Sequence, residues 1–311
     1  MRVPARKTAR TRTPAMAVVA AVFLLAAAAA IAQQERPGLT VATPAKNCLK
    51  SLLLNFEINR DGEAVRQVPI WRVGAGPDGN ANAGAADAAP IDSVSTGAVS
   101  AGAVFTGARS GASAPFFFEA GMTIDADGAP NAYNAENTGL DDLANAGDST
   151  HWDGLVANRE GVPLIQGPDD PFPGYYVSCT ALTDRTKSQS DPARYVDASK
   201  IPYIVLPGDL AREAGARLGD FAVVTNTRNG KSSYAIFADI GTLGEGSIAL
   251  ADNLGIWSNA REGGTRGGII FEVFPGSGNG QPRTVEEINT ETAKLVQDAG
   301  GAGPSNGCAG N

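Results

Sequence analysis

Residues 221–239 read FAVVTNTRNGKSSYAIFAD, and this stretch decides the fold class. Two runs rich in β-branched and aromatic residues flank Asn229-Gly230. Asn-Gly between such runs is a strong hairpin signal, because both residues tolerate the left-handed backbone that tight turns need. The second run ends at Asp239, so the hairpin also delivers an acidic side chain to a strand end. Rigid strands present functional groups at such places.

Working outward, the same grammar recurs. Runs at 68–73, 116–120, 151–156, 163–166, 175–180, 201–206 and 268–274 read as strands between Gly- and Pro-containing turns. Residues 122–124 lead into a loop at 125–130, and 52–58 is helical or extended, since its periodicity fits both. Residues 247–254 form a candidate helix. A second helix is expected over 284–297, where Thr284 and Glu287 have capping-box spacing. Short strands with few helices predict a small β-barrel or sandwich. No internal repeat is visible in the sequence.

The remaining regions are of other kinds. Residues 1–32 read as a secretory signal: five basic residues up to Arg12, an apolar run over 16–30, and Ala30-Ile31-Ala32 as a cleavage site. Residues 33–45 are a linker, 74–113 a Gly/Ala/Ser/Asp/Asn-rich surface insertion within a domain spanning 46–300, and 301–311 a Gly-rich tail. The whole chain of 311 residues carries a net charge of −8. Removal of 1–32 takes away five positive residues and no negative one, leaving 20 basic against 33 acidic and a charge of −13. Such a surface attracts cationic partners and disfavours nucleic acid and anionic membranes. One His leaves little for a His-rich metal site. The three cysteines are Cys48, Cys179 and Cys308. A Cys48–Cys308 bridge would tie the two ends, and the odd count leaves one thiol over.

Two acidic groups are candidates for chemistry. Asp239 and Glu245 flank the turn Ile240-Gly241-Thr242-Leu243-Gly244. Two carboxyl groups so placed could divide acid and base duties in glycoside hydrolysis. The turn permits either the inverting or the retaining separation, and a plain acidic turn with Glu245 capping the next helix is the competing reading. Asp125 and Asp127 form a D-x-D-G loop, read either as an Asx-turn or as a sugar- or amine-binding loop. Calcium is disfavoured, because Gly falls at loop position 4 and Ala129 at position 5. Tyr175 and Tyr176 could stack on sugar rings. The lone His151 reads as a loop residue.

Several ordered blocks carry a family resemblance: GMTIDADGAPNAY (121–133), GYYVS (174–178), RYVD (194–197), IPYIVLPG (201–208), LGDFAVV (218–224), KSSYAIFADIG (231–241), GEGSIALA (244–251) and VFPGSG (273–278). Together they resemble the fungal-type chitosanases, family 75 of the glycoside hydrolases. The turn between the two acids is shorter here than in the better-known fungal members. The resemblance implies a mainly β fold, a six-stranded double-psi β-barrel with short peripheral helices. It implies a secreted, monomeric endo-chitosanase that cleaves the β-1,4 bonds of chitosan with inversion and without a metal or organic cofactor. It maps the catalytic pair onto Asp239 and Glu245, and places Asp125 and Asp127 in substrate binding. Free Asp is a slightly stronger acid than Glu, which favours Asp239 as base and Glu245 as acid unless burial reverses the order. Two alternatives remain: a non-catalytic polysaccharide-binding barrel of the expansin type, and a hydrolase of another β-glycan. The acid pair argues against the first, and the acidic surface against a neutral substrate.

Overall fold

The computed structural model describes residues 50–58, 66–73 and 114–298. The expected signal segment, the linker, the whole 74–113 insertion, the tail, Cys48 and Cys308 lie outside the described residues. Strands β1 (Lys50–Ile58) and β2 (Arg66–Val73) form an antiparallel pair, so 52–58 is extended. Strand β3 (Phe116–Asp125) follows, then a long excursion whose regular elements are 3-10 turns at Leu143–Ala146 and Pro192–Arg194 and the two-residue strands β4 (Gly147–Asp148) and β5 (His151–Trp152). Next come β6 (Tyr203–Leu206), helix α1 (Gly208–Ala214), β7 (Phe221–Asn226) and β8 (Ser232–Ile240). The chain ends with β9 (Glu245–Ser247), α2 (Ile248–Leu254), β10 (Thr265–Phe274) and α3 (Val285–Asp298).

Six strands close into a barrel in the order β3-β10-β7-β8-β6-β9, with β9 returning to β3. The β3–β9 and β6–β8 pairs are parallel and the rest antiparallel. Exchanging β3, β6 and β7 for β8, β9 and β10 carries every pairing onto another pairing of the barrel. This is the double-psi arrangement. Helices α1 and α2 are exchanged too, and both end on a glycine in left-handed conformation, Gly215 (φ 78°) and Gly255 (φ 64°). The twofold relation was not visible in the sequence, because the exchanged strands share hydrophobicity rather than residues.

The barrel interior is filled by alternate residues of its strands: Phe118, Ala120, Met122 and Ile124 from β3, Ala235 and Phe237 from β8, Ile269, Phe271 and Val273 from β10. Phe118 and Phe271 are register partners and stack at 4.9 Å. A second apolar cluster lies on the outer face of β6 and β8. There Tyr203, Val205, Ile236 and Ala238 meet Ala126, Ala129, Tyr133, Leu155 and Val196 of the excursion. Small residues let the excursion lie flat on the barrel wall. Excursions this long with little regular structure are usually functional.

Several expectations need correction. The 116–120 strand continues to Asp125, so 122–124 belongs to β3. The 151–156 strand shrinks to His151–Trp152, and the segments at 163–166 and 175–180 make only isolated bridges. The strand expected to end at Asp239 runs one residue further, to Ile240. Helix α1 was not foreseen: it has seven residues and no capping side chain. Ser247 caps α2, not Glu245. The expected hairpin and the Thr284–Glu287 capping box are both present. Among the described residues, no helix is long and apolar enough to cross a membrane.

Candidate active site

Asp239 reaches the site through a bulge. Along β8, Ala235 and Phe237 face the barrel core, and strict alternation would send Asp239 inward as well. In the pairing with β6, Ile204 faces Phe237 but Val205 faces Asp239, so Ala238 is an extra residue. A bulge of this kind re-aims the next side chain. Asp239 thus shares the outer face with Val205, beneath the excursion. Asp125 arrives by ordinary alternation at the end of β3, where it pairs with Ser247. Ile204 faces Gly246 on the exchange axis, so Val205 corresponds to Ser247. Asp125 and Asp239 are therefore twin positions of the two barrel halves.

Asp127 completes the group. Its amide donates to Asp125 Oδ1 at 2.8 Å, the expected Asx-turn. One carboxylate oxygen from each of Asp125, Asp127 and Asp239 lies within 4.8 Å of the others, so the D-x-D loop and the hairpin acid meet. Tyr133 donates its hydroxyl to Asp127 Oδ1 at 2.7 Å, and Tyr203 donates to the Asp127 carbonyl at 3.0 Å. Asp239 Oδ1 accepts from the amides of Ala181 (2.9 Å) and Ile240 (2.8 Å). The excursion comes close because residue 154 is glycine: a Cβ there would lie 2.6 Å from Asp127 Oδ1.

Burial and mutual repulsion shift these acids together. Desolvation raises Asp125 to about 6. It raises Asp239 to about 8, with the charge of Asp125 adding to it. Asp127 is pushed well above the usual carboxylate range by burial and by both neighbours. Three desolvated carboxyl groups this close cannot all ionise, so the cluster retains protons near neutral pH and titrates as a unit. Cys179 stands beside it. Burial and the charges of Asp127 and Asp239 push its thiol up, which opposes a nucleophilic thiolate. The oxygen set suits a hard divalent cation. Each Asp accepts its hydrogen bond through Oδ1, which leaves Oδ2 as the oxygen free to ligate such an ion.

Glu245 stands apart from the cluster. It opens β9, pairs with Val205 of β6 and Thr123 of β3, and accepts the Thr242 amide on Oε2 at 2.9 Å. Its charge is among the influences that raise Asp239. Asp239 and Glu245 thus flank Val205 on one face, two strand spacings apart, or about 10 Å between backbones.

The predicted tyrosines are placed differently. Tyr176 joins through its backbone, whose amide donates to the Tyr133 carbonyl at 3.0 Å, while its ring packs on the outer apolar cluster. Tyr175 meets Phe172 edge-on at 5.7 Å, away from the acids. His151 is exposed and pairs with Asp153. Sequence reasoning missed Tyr133, Tyr203 and Gly154. The two tyrosines lie in the quoted blocks, but nothing in their spacing marks them as donors to acids.

Reasoning also missed Arg261. Its guanidinium bonds Asp142 Oδ1 (2.6 Å) and the carbonyls of Asn137 (2.8 Å), Gly139 (3.1 Å) and Asp141 (3.0 Å). Asp141 Oδ2 lies 3.3 Å from the Tyr133 hydroxyl, so this strut supports the loop behind Asp127. The chain has no significant match among protein-family models or curated protein sequences.

Proposed function

We propose that this protein is a secreted endo-chitosanase that hydrolyses β-1,4 glycosidic bonds of chitosan with inversion. One observation carries the reading: Asp239, whose carboxyl is held protonated chiefly by burial, and Glu245 flank Val205 on the same face of the barrel. Side chains leaning over Val205 from backbones about 10 Å apart can reach the 6.5–9.5 Å separation that leaves room for an attacking water.

The roles follow from the environments. Burial and the charge of Asp125 raise Asp239, which suits it to the acid role and assigns the base to Glu245. Asp239 gives its proton to the glycosidic oxygen as the C1–O bond breaks. Glu245 takes a proton from water, whose oxygen attacks C1 from the opposite face. Exchange with solvent then restores both groups. Burial, with the charge of Asp125, holds Asp239 protonated, and Asp125 and Asp127 offer acceptors to amino and hydroxyl groups of the sugar. The reaction needs neither metal nor organic cofactor. The charge of −13 left after removal of 1–32 concentrates a cationic polysaccharide.

The test is soluble chitosan, followed by viscosity, reducing ends and the anomeric form of the product. Rapid viscosity loss with inverted product is expected from the parent protein. Asp239→Asn and Glu245→Gln should each lose about 10²–10⁴-fold in kcat. A folded parent that binds chitosan without cutting it would favour the binding-barrel reading.

A further inference from the structure

A second apolar feature lies along the excursion. Gln166 is buried, yet it makes five hydrogen bonds that lock the 167–174 loop. Its Nε2 donates to the carbonyls of Pro130 (2.5 Å) and Tyr176 (3.0 Å), and its Oε1 accepts the Phe172 amide at 3.1 Å. Its backbone bonds the Tyr175 carbonyl (2.8 Å) and the Gly174 amide (3.1 Å). Asp170 closes the loop from within by accepting the Gly167 amide at 2.8 Å. Pro168, Pro171 and Pro173 restrict it further. This rigid loop holds Phe172 38% exposed, with Tyr175 edge-on behind it and Ile165 63% exposed beside it. Asp169 is exposed on the same loop.

A rigid, solvent-facing aromatic binds with little ordering cost. An aromatic face takes the apolar face of a ring, attracts an ammonium group, and here has a carboxylate three residues away. From Tyr175 the chain passes through Val177 and Ser178 to Cys179, and Ala181 then bonds Asp239. Four residues of extended chain span about 13 Å. Tyr175 is therefore within about 13 Å of Cys179, which stands beside the acids, so an oligosaccharide seated at the acids can reach the platform.

We infer that the 167–174 loop is a remote subsite for a cationic amino-sugar unit, with Phe172 under the ring and Asp169 beside the ammonium group. The inference rests on the chitosan reading and adds a location, a ligand charge and two residues to it.

The test uses Asp239→Asn protein as a non-cleaving background, with glucosamine tri- and hexasaccharides in calorimetry. Phe172→Ala should weaken the hexasaccharide about tenfold relative to the trisaccharide, and Phe172→Trp should restore it. Asp169→Asn should weaken the glucosamine hexasaccharide by up to about fivefold and its N-acetylated counterpart not at all. Unchanged hexasaccharide affinity in Phe172→Ala, with the parent still cutting chitosan, overturns the subsite alone. If neither oligomer binds and the parent leaves chitosan intact, both the subsite and the chitosanase reading fall.

Discussion

At Asp239, burial and like charge push in one direction, and they can be separated. Desolvation is built into the wall, whereas the repulsion comes chiefly from Asp125. Asp125→Asn keeps the shape and removes the charge. The pKa of Asp239 should then fall; under the proposed chitosanase mechanism the alkaline limb of the kcat/KM profile is expected near pH 8, where Asp239 loses its proton, and should move to lower pH. An unmoved limb would mean that burial alone holds the proton. The four acids were legible as residues, because a strand end and a D-x-D-G loop are local patterns. Their meeting was not. It depends on Ala238 being unpaired in a ladder with a strand some thirty residues earlier, and a period-2 reading of one strand cannot register that.

At the scale of elements, Ser247 joins three of them. Its hydroxyl accepts from the Leu250 amide to cap α2, accepts from the Tyr203 amide of β6, and donates to the Ile201 carbonyl at 2.8 Å. It is completely buried. Ser247→Ala leaves two amides and a carbonyl without this partner, so urea denaturation should show a loss of about 2–3 kcal/mol. A loss below about 0.5 kcal/mol would show that water replaces the hydroxyl. Elements with caps or turn chemistry of their own were readable from sequence: the hairpin and the capping box of α3. Those held by tertiary partners were not. Helix α1 has two turns and a Pro-Gly start, and the bridged segments of 151–180 are shaped by contact with the barrel wall.

For the whole molecule, the acid cluster sets the pH dependence of stability. Asp125 and Asp239 have folded pKa values of about 6 and about 8, above the unfolded value of 3.8. The native state therefore binds more protons than the unfolded chain between these limits. The stability these two acids contribute is full below about pH 4 and is lost as pH rises toward 8. The surface carboxylates lowered by local bonds, Asp148, Asp184 and Glu287, act with opposite sign at the acid end and are solvent-screened. Thermal unfolding should give a Tm that falls from pH 5 to pH 8, and Asp239→Asn should flatten the slope. A Tm that rises over that range would contradict the placement of the cluster. The barrel class was readable from short strands and turns, and the resemblance supplied its topology. The twofold exchange emerges only from the pairing map.

The parallel pairs β3–β9 and β6–β8 have a kinetic consequence. A parallel pair cannot be closed by a tight hairpin, and β3 must wait for β9 and β10, more than a hundred residues later in the chain. Loop closure of that length makes folding slow and late to commit. Asp125 and Asp239 sit on the two halves that this last step unites. A nascent chain therefore does not bring Asp125 and Asp239 together until its barrel shuts, and any partial opening of that seam separates them before the rest of the protein has unravelled.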